Sequence, residues 1–337
     1  MKVSKEKKQA IILYILDKIY SGSKSVSKEV SETFEMSQNT VHTYLNELID
    51  ENIIVKHKRG KYELVTTQEI YNFARNKGEL SSDTIAYELC LSKKIEHLSE
   101  NIKHIWAYAV SEMVNNVIDH SASENMQVIV TQNYLKTSVI ISDNGVGIFE
   151  KIKKHFSFAN LDEAICELFK GKLTTDKENH SGEGIFFTSK MMDTFLITSS
   201  GKVFATTKYN NDQTFDINDS SSGTCVLMSL SNFTNRTAKE IFDLYSDTDG
   251  AFVTTKIPIK SIFDSAPISR SQAKRICYRL DNFEEVIFDF ENVSWMGQGF
   301  AHQIFVVYQK AHPNIKLLPV NMNDSVKNMY NHVMNSD

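Results

Sequence analysis

The 337-residue chain holds only four cysteines, four prolines and two tryptophans. The cysteines (Cys90, Cys166, Cys225, Cys277) stand far apart with no Cys-x-x-Cys pair. Neither a disulfide framework nor a zinc site follows from such spacing, and the four read as reduced, mostly buried thiols. So few prolines, with no low-complexity tract and no internal repeat, argue against long disordered linkers. No apolar run reaches the length of a membrane span, and the basic start Met1–Ala10 leads into an amphipathic helix and not into a signal-peptide core. The expected location is therefore the cytoplasm, with no membrane contact. Charge of one sign is not in excess either: the net value of −5 excludes a generic polyanion binder, and a composition 41% hydrophobic and 23% charged is that of a soluble globular protein. There is no nuclease-like carboxylate cluster, no Ser/His/Asp grouping and no Cys/His metal set. The length suggests two or three domains.

What the chain does have is three short stretches in the middle third. In "SEMVNNVIDHS" (111–121), Glu112, Asn116 and Asp119 follow i, i+4, i+7 spacing and would project from one helical face, among the apolar Met113, Val114, Val117 and Ile118. A carboxylate and a carboxamide one turn apart can orient a water and coordinate a divalent cation. In "ISDNGVGI" (141–148), an apolar strand ends in Asp143, and Gly145 and Gly147 allow close approach of the backbone to a flat or anionic ligand. In "HSGEGIFFTSKMMD" (180–193), Gly182 and Gly184 open an apolar helix, where free N–H groups suit a phosphate.

In order and spacing these stretches resemble the N, G1 and G2 boxes of the GHKL ATPase superfamily, which includes gyrase, the ninety-kilodalton heat-shock chaperone, sensor histidine kinases and anti-sigma-factor kinases. The resemblance covers roughly residues 80 to 230 and implies ATP and Mg²⁺ as cofactors. It implies that Glu112 is the general base that polarises the attacking water, and that Asn116 is the Mg²⁺ ligand. Asp143 would accept the adenine amino hydrogen. Gly145 and Gly147 would flank the base, Gly182 and Gly184 would face the phosphates, and Thr224 would lie near adenine. Asp119 is a supporting residue of the same box, and Lys172, with Lys170, falls in the candidate lid and could reach the phosphates or serve as surface charge. The fold implied is a Bergerat-type α/β sandwich, a mixed sheet with helices on one face, and not a doubly wound parallel sheet. The second glycine box departs from the kinase pattern, having two glycines followed by "IFF", which makes hydrolysis less secure than binding. Only about 46 residues separate position 66 from Glu112, too few for a dimerising phosphoacceptor hairpin, and a histidine kinase is rejected.

Upstream, Ile11, Ile12, Ile15, Leu16 and Ile19 recur at helical spacing; a short helix carries Val26, Val30 and Phe34; and Ser37 is a good N-cap for a third helix with Val41, Leu45, Leu48 and Ile49 inward. "IIVKHKRGKYELV" reads as a hairpin around Arg59-Gly60. Three helices and a basic hairpin look like a winged helix-turn-helix. Gln38, Asn39, Thr40, His42 and Thr43 would face base edges, and Lys56, His57, Lys58, Arg59 and Lys61 would meet phosphates. Residues 1–65 hold eleven Lys/Arg against nine Asp/Glu, a mild excess only, and protein docking or dimerisation is the competing use of such a module.

At the other end, "VIFDF", an amphipathic helix from about Gly299 and "IKLLPVN" form a βαβ pattern expected to be parallel. It is similar to STAS domains, the fold of anti-sigma-factor antagonists. Where phosphorylated antagonists carry a serine before a glycine, this chain has Gln298, which has no oxygen nucleophile. The segment is therefore expected to be a docking or dimer surface. Thr254–Lys256 is similar to a lysine-bearing loop of gyrase-like members and is read here as a strand.

The expected architecture is α/β multidomain: a winged helix-turn-helix at 1–66, a linker at 67–80, a GHKL ATP-binding domain at 81–250 and a STAS-like domain at 251–335. The expected function is an ATP-binding, slowly hydrolysing DNA-binding regulator, with DNA on the winged helix, a protein partner on the STAS-like domain and homodimerisation as a further expectation. The alternatives are an anti-sigma-type serine/threonine kinase and a nucleotide-bound scaffold of a signalling or defence assembly.

Overall fold

The computed structural model describes residues 4–58, 60–173, 182–207, 213–217, 222–263 and 266–335. The chain divides into two compact units. The first comprises residues 1–70, 129–139 and 229–234, and the second comprises 71–128, 140–228 and 235–337.

In the first unit, α1 (Lys5–Tyr20), α2 (Val26–Phe34) and α3 (Gln38–Asp50) follow one another. The Ser4 hydroxyl accepts the Lys7 N–H to start α1, and Ser37 accepts the Thr40 N–H to start α3. Glu35, in the left-handed conformation (φ 50°), stops α2. Ile11, Ile15, Leu16, Val30, Val41 and Leu45 are fully buried, so the apolar periodicity read from the sequence is the core of this unit. The hairpin of β1 (Ile54–Lys58) and β2 (Lys61–Leu64) is antiparallel and turns at Gly60 (φ 77°). The predicted order of three helices and a hairpin is thus present. Tyr134 and Leu135 pack on the same core, and Lys136 Nζ donates to the Tyr20 hydroxyl while lying 4.6 Å from that ring's centre. The Asn232 amide donates to Asn133 O, and its carbonyl accepts from Thr137 Oγ1.

The middle of the chain forms a seven-stranded sheet. Where the sequence predicts a linker, Thr67–Ala74 forms its edge strand β3. The β-branched and aromatic Thr67, Ile70, Tyr71 and Phe73 favour extension there, and Phe73 is buried. Helices α4 (Asp83–Cys90) and α5 (Glu100–Asn115) lead to β4 (Asn125–Gln132) and β5 (Lys136–Asp143). Then come α6 (Ile148–Phe156), α7 (Leu161–Lys170), α8 (Gly184–Met191), β6 (Thr194–Ser199), β7 (Lys202–Thr207), β8 (Gln213–Asp216) and β9 (Thr224–Ser231). The strand order is β3-β4-β5-β9-β6-β7-β8. Met126, Val128 and Val130 of β4, with Val139 and Ile141 of β5, are buried in strict alternation. Helix α5 buries Ile102, Ile105, Trp106, Ala109, Val110, Met113 and Val114.

Helix α9 (Ala238–Tyr245), closed by a Thr237/Glu240 capping box, precedes the last region. That region runs β10 (Thr254–Pro258), α10 (Ile259–Ile262), α11 (Arg270–Cys277), β11 (Glu285–Asp289), α12 (Gln298–His302), a π-helical stretch Gln303–Tyr308, α13 (Gln309–Ala311), β12 (Lys316–Val320) and α14 (Asp324–Asn335). Strands β10-β11-β12 are parallel, as the βαβ pattern predicts, and Thr254–Lys256 lies in a strand.

Aromatic rings tie this region to the large sheet's helices. Phe252 lies 4.7 Å from Phe186, 5.0 Å from Phe187 and 5.3 Å from Phe283, centre to centre, and its ring would strike a Cβ placed on Gly171. Phe252→Ala should therefore cost about 3–5 kcal/mol of stability, read as a fall in the denaturant midpoint at unchanged m-value.

Candidate functional site

The last turn of α5 gives way to a π turn, Asn116–His120. A regular helix would hold Glu112, Asn116 and Asp119 on one face, but the wider turn rotates the residues beyond it. Glu112 and Asn116 line a cavity of about 260 Å³, together with Val117, His120 and Ser121. Asp119 is carried off that face, exposed and outside the lining.

The opposite wall starts at the end of β5. Asp143 lines the cavity, half-buried, with its Oδ1 accepting the Gly145 N–H at 2.7 Å. Burial raises its pKa, partly offset by hydrogen bonds from the Gly145 and Thr224 backbone. Gly145 does not line the cavity; its role is close packing. A Cβ there would lie 2.0 Å from Ser121 O, the same carbonyl that accepts the Val146 N–H at 2.9 Å. Gly147 does line it, at φ 77°, where a Cβ would press on Ser199 Oγ. Thr224 reaches the same place from β9, its hydroxyl accepting the Ile148 N–H at 3.0 Å.

Gly182 (φ 72°) and Gly184 close the third side at the start of α8. A Cβ on Gly184 would lie 1.9 Å from Glu112 Oε2, so this glycine is what lets the carboxylate sit against the helix start. Half-buried Tyr108 has its phenol pKa raised, first by burial and then by the charges of Glu112 and Glu183.

Lys172 is placed elsewhere. It does not line the cavity; its Nζ donates to Asn282 O at 2.8 Å and lies 5.0 Å from the Phe283 ring centre, and burial lowers its pKa. Lys170 is fully buried on Glu167 and the Tyr278 carbonyl. The Thr-rich remainder of the expected lid, 174–181, lies outside the described residues. A cation that sequence reasoning missed is Lys151, which lines the cavity and donates to His120 O at 2.7 Å. Its position, one helical turn past Gly147, was the available signal. Leu173 also lines the cavity, its N–H donating to Gly182 O at 2.8 Å. Among the described residues no group of three or more His, Cys, Asp or Glu is placed to hold a metal.

Of the residues predicted for DNA, Gln38, Asn39 and Thr43 are exposed on the first turns of α3, and Lys58 is exposed on the hairpin. Thr40 is half-buried, its hydroxyl 2.9 Å from Ser37 Oγ in the helix cap. Arg59 lies outside the described residues.

Residues 103–232 match the family described as histidine kinase-, DNA gyrase B- and HSP90-like ATPase, and residues 272–327 match a STAS-like domain of unknown function. The chain therefore contains a GHKL-type ATPase domain followed by a STAS-like domain, which together make it an α/β multidomain protein of ATP-binding type. No curated protein matches it. Among the described residues no helix is long and apolar enough to cross a membrane.

The two glycine contacts separate fold from site. Gly145→Ala meets a backbone carbonyl and should lower stability by about 3 kcal/mol. Gly184→Ala meets only the end of a flexible side chain, and should displace Glu112 while costing about 1 kcal/mol or less. Denaturant titration of both variants checks the order.

Proposed function

We propose that the cavity binds Mg²⁺–ATP and that the protein is a cytoplasmic regulator whose nucleotide state governs a DNA-binding winged helix and a STAS-like interaction surface. The observation that carries the reading is convergence: a half-buried acid, Asp143, on one wall, and Glu112, Asn116 and the glycine-opened start of α8 on the other, in one cavity. The donor set fits the ligand. A carboxylate that takes two backbone N–H groups suits an exocyclic amino group, the helix start suits phosphate, and the carboxamide oxygen of Asn116 suits a hard cation that keeps most of its waters. Bound magnesium would neutralise charge on the triphosphate. The chain's own part would be to orient: Asp143 would hold the adenine, Asn116 would offer its carboxamide oxygen to the metal, and Glu112, pressed on Gly184, would take a proton from an attacking water.

The DNA reading rests on the exposed polar first turns of α3 and the basic hairpin. Communication has a covalent route: β5 begins at Lys136, beside the Tyr134 and Leu135 that pack on the three-helix core, and ends at Asp143. Linkage makes the effect reciprocal, so duplex DNA should change ATP affinity by the factor by which ATP changes DNA affinity. Paired titrations in which either ligand leaves the other's dissociation constant untouched would exclude the coupling.

A serine/threonine kinase is the second reading, favoured by the STAS-like domain on the same chain. Gln298 at the start of α12 argues against self-phosphorylation there, and incubation with labelled ATP decides by whether label remains on protein. A nucleotide-bound scaffold would keep its cellular activity in a Glu112→Ala variant. The STAS-like domain is taken as the protein-docking surface, between copies of this chain or with another protein.

The binding reading is tested by calorimetry of the full chain. Wild type should bind Mg²⁺–ATP, and Asp143→Asn should bind it roughly ten- to a hundredfold more weakly. Adenosine isolates the titration of the acid. Because burial raises the Asp143 pKa, and only the ionised form accepts the amino hydrogen, affinity should fall as pH drops through a value above that of an ordinary aspartate. The same sign means that Asp143 favours the folded, empty protein most below its unfolded pKa and loses that contribution as pH rises through the folded one. In Asp143→Asn the pH dependence should vanish.

A further inference from the structure

Between α7 and the nucleotide cavity, Lys170 and Lys172 are held by β10 and the STAS-like domain. The Thr255 hydroxyl donates to Lys170 O at 2.7 Å, and buried Lys170 donates to the carbonyls of Tyr278 and Arg275. Lys172 donates to Asn282 O, and Arg279 Nη2 donates to Lys172 O at 2.8 Å. The next residue, Leu173, lines the cavity and is bonded to Gly182 O, on the side where the phosphate-facing glycines lie.

The Arg279 side chain is itself held on two further sides. Its Nη1 meets Glu167 Oε2 at 3.2 Å, its guanidinium lies 4.6 Å from the Phe156 ring centre, and its backbone is left-handed at φ 59°. The backbone it grips is also unusual. Gly171 has φ 80° and Lys172 φ 52°, a conformation that a lysine adopts only when its surroundings impose it. One guanidinium therefore joins a buried carboxylate to the carbonyl that sets the path of the chain into the cavity wall. The two contacts are made by two different nitrogens of the fork, Nη1 and Nη2, where a lysine would present a single one.

We infer that Arg279 of the STAS-like domain is a positioning residue for the phosphate end of the nucleotide cavity, so that the docking of that domain sets the affinity for the triphosphate and not for the base. The inference rests on the nucleotide reading and adds to it a site of control outside the ATPase domain. Asp143, which faces the base, makes none of these contacts, and so the two ends of the ligand should respond differently.

The test compares Mg²⁺–ATP and adenosine on the full chain by calorimetry. Arg279→Ala should raise the ATP dissociation constant about tenfold while leaving that for adenosine within about twofold. Arg279→Lys keeps a second positive charge beside Glu167, which Lys170 also pairs, and should show the same selective loss with less risk to folding. Hydrogen exchange at the Leu173 amide should quicken in both variants. Equal weakening of both ligands, or weakening of neither, in a wild-type background that binds ATP refutes the inference and leaves the nucleotide reading standing. A wild-type chain that binds neither ligand refutes that reading and the inference with it.

Discussion

The site depends on one backbone contact, the Val146 N–H donating to Ser121 O across the gap between the π turn and the loop after β5. It brings two segments far apart in sequence to hydrogen-bonding distance, and only a glycine at 145 leaves room for it. The contact fixes Glu112 and Asn116 relative to Asp143, because the first two lie on the helix that ends at this turn and the third on the strand that begins the loop. Ser121 reinforces it, its own hydroxyl donating back to Val117 O at 2.6 Å and accepting the Ser123 N–H. Ser123 Oγ, bonded to Asn144, and Lys151 Nζ, donating to His120 O, close the same joint, so that Glu112, Asn116 and Asp143 line one cavity.

Much of this was legible in the sequence, and the remainder was hidden for identifiable physical causes. Glu112, Asn116, Asp143, Gly147, Gly182, Gly184 and Thr224 all line one cavity, because local rules (helical spacing, a strand ending in an acid, glycines at a helix start) placed each on its element. Asp119 was misplaced by those rules, since seven-residue spacing presumes a regular helix and the π turn intervenes. Lys172 was assigned to the phosphates by proximity in sequence, whereas tertiary partners at Asn282 and Phe283 hold it elsewhere. Arg279 could not be found by motif, because its contact is with a carbonyl more than a hundred residues away. The strand at 67–74 was hidden by its polar residues, which an edge strand tolerates on its exposed face.

The join between the ATPase domain and the STAS-like domain mixes two kinds of interaction with different consequences. The rings around Phe252 supply apolar burial. Glu167 and Lys170 are buried and Arg279 half-buried, and such charged groups contribute little net stability against an apolar replacement but penalise any arrangement in which a partner is missing. The rings therefore hold the domains together, while the charges define how they meet. That division suits a joint which reports on a neighbouring cavity, since a small change in register would strand a buried charge.

The central claim, that an adenine nucleotide spans this cavity from Asp143 to the start of α8, is tested most directly by a crystal structure of the full chain with magnesium and a non-hydrolysable ATP analogue. The account predicts the adenine amino group within hydrogen-bonding distance of the Asp143 carboxylate, the metal on the Asn116 side-chain oxygen, and phosphate oxygens facing the Gly182–Gly184 backbone. An analogue bound elsewhere, or with its base away from Asp143, would contradict it.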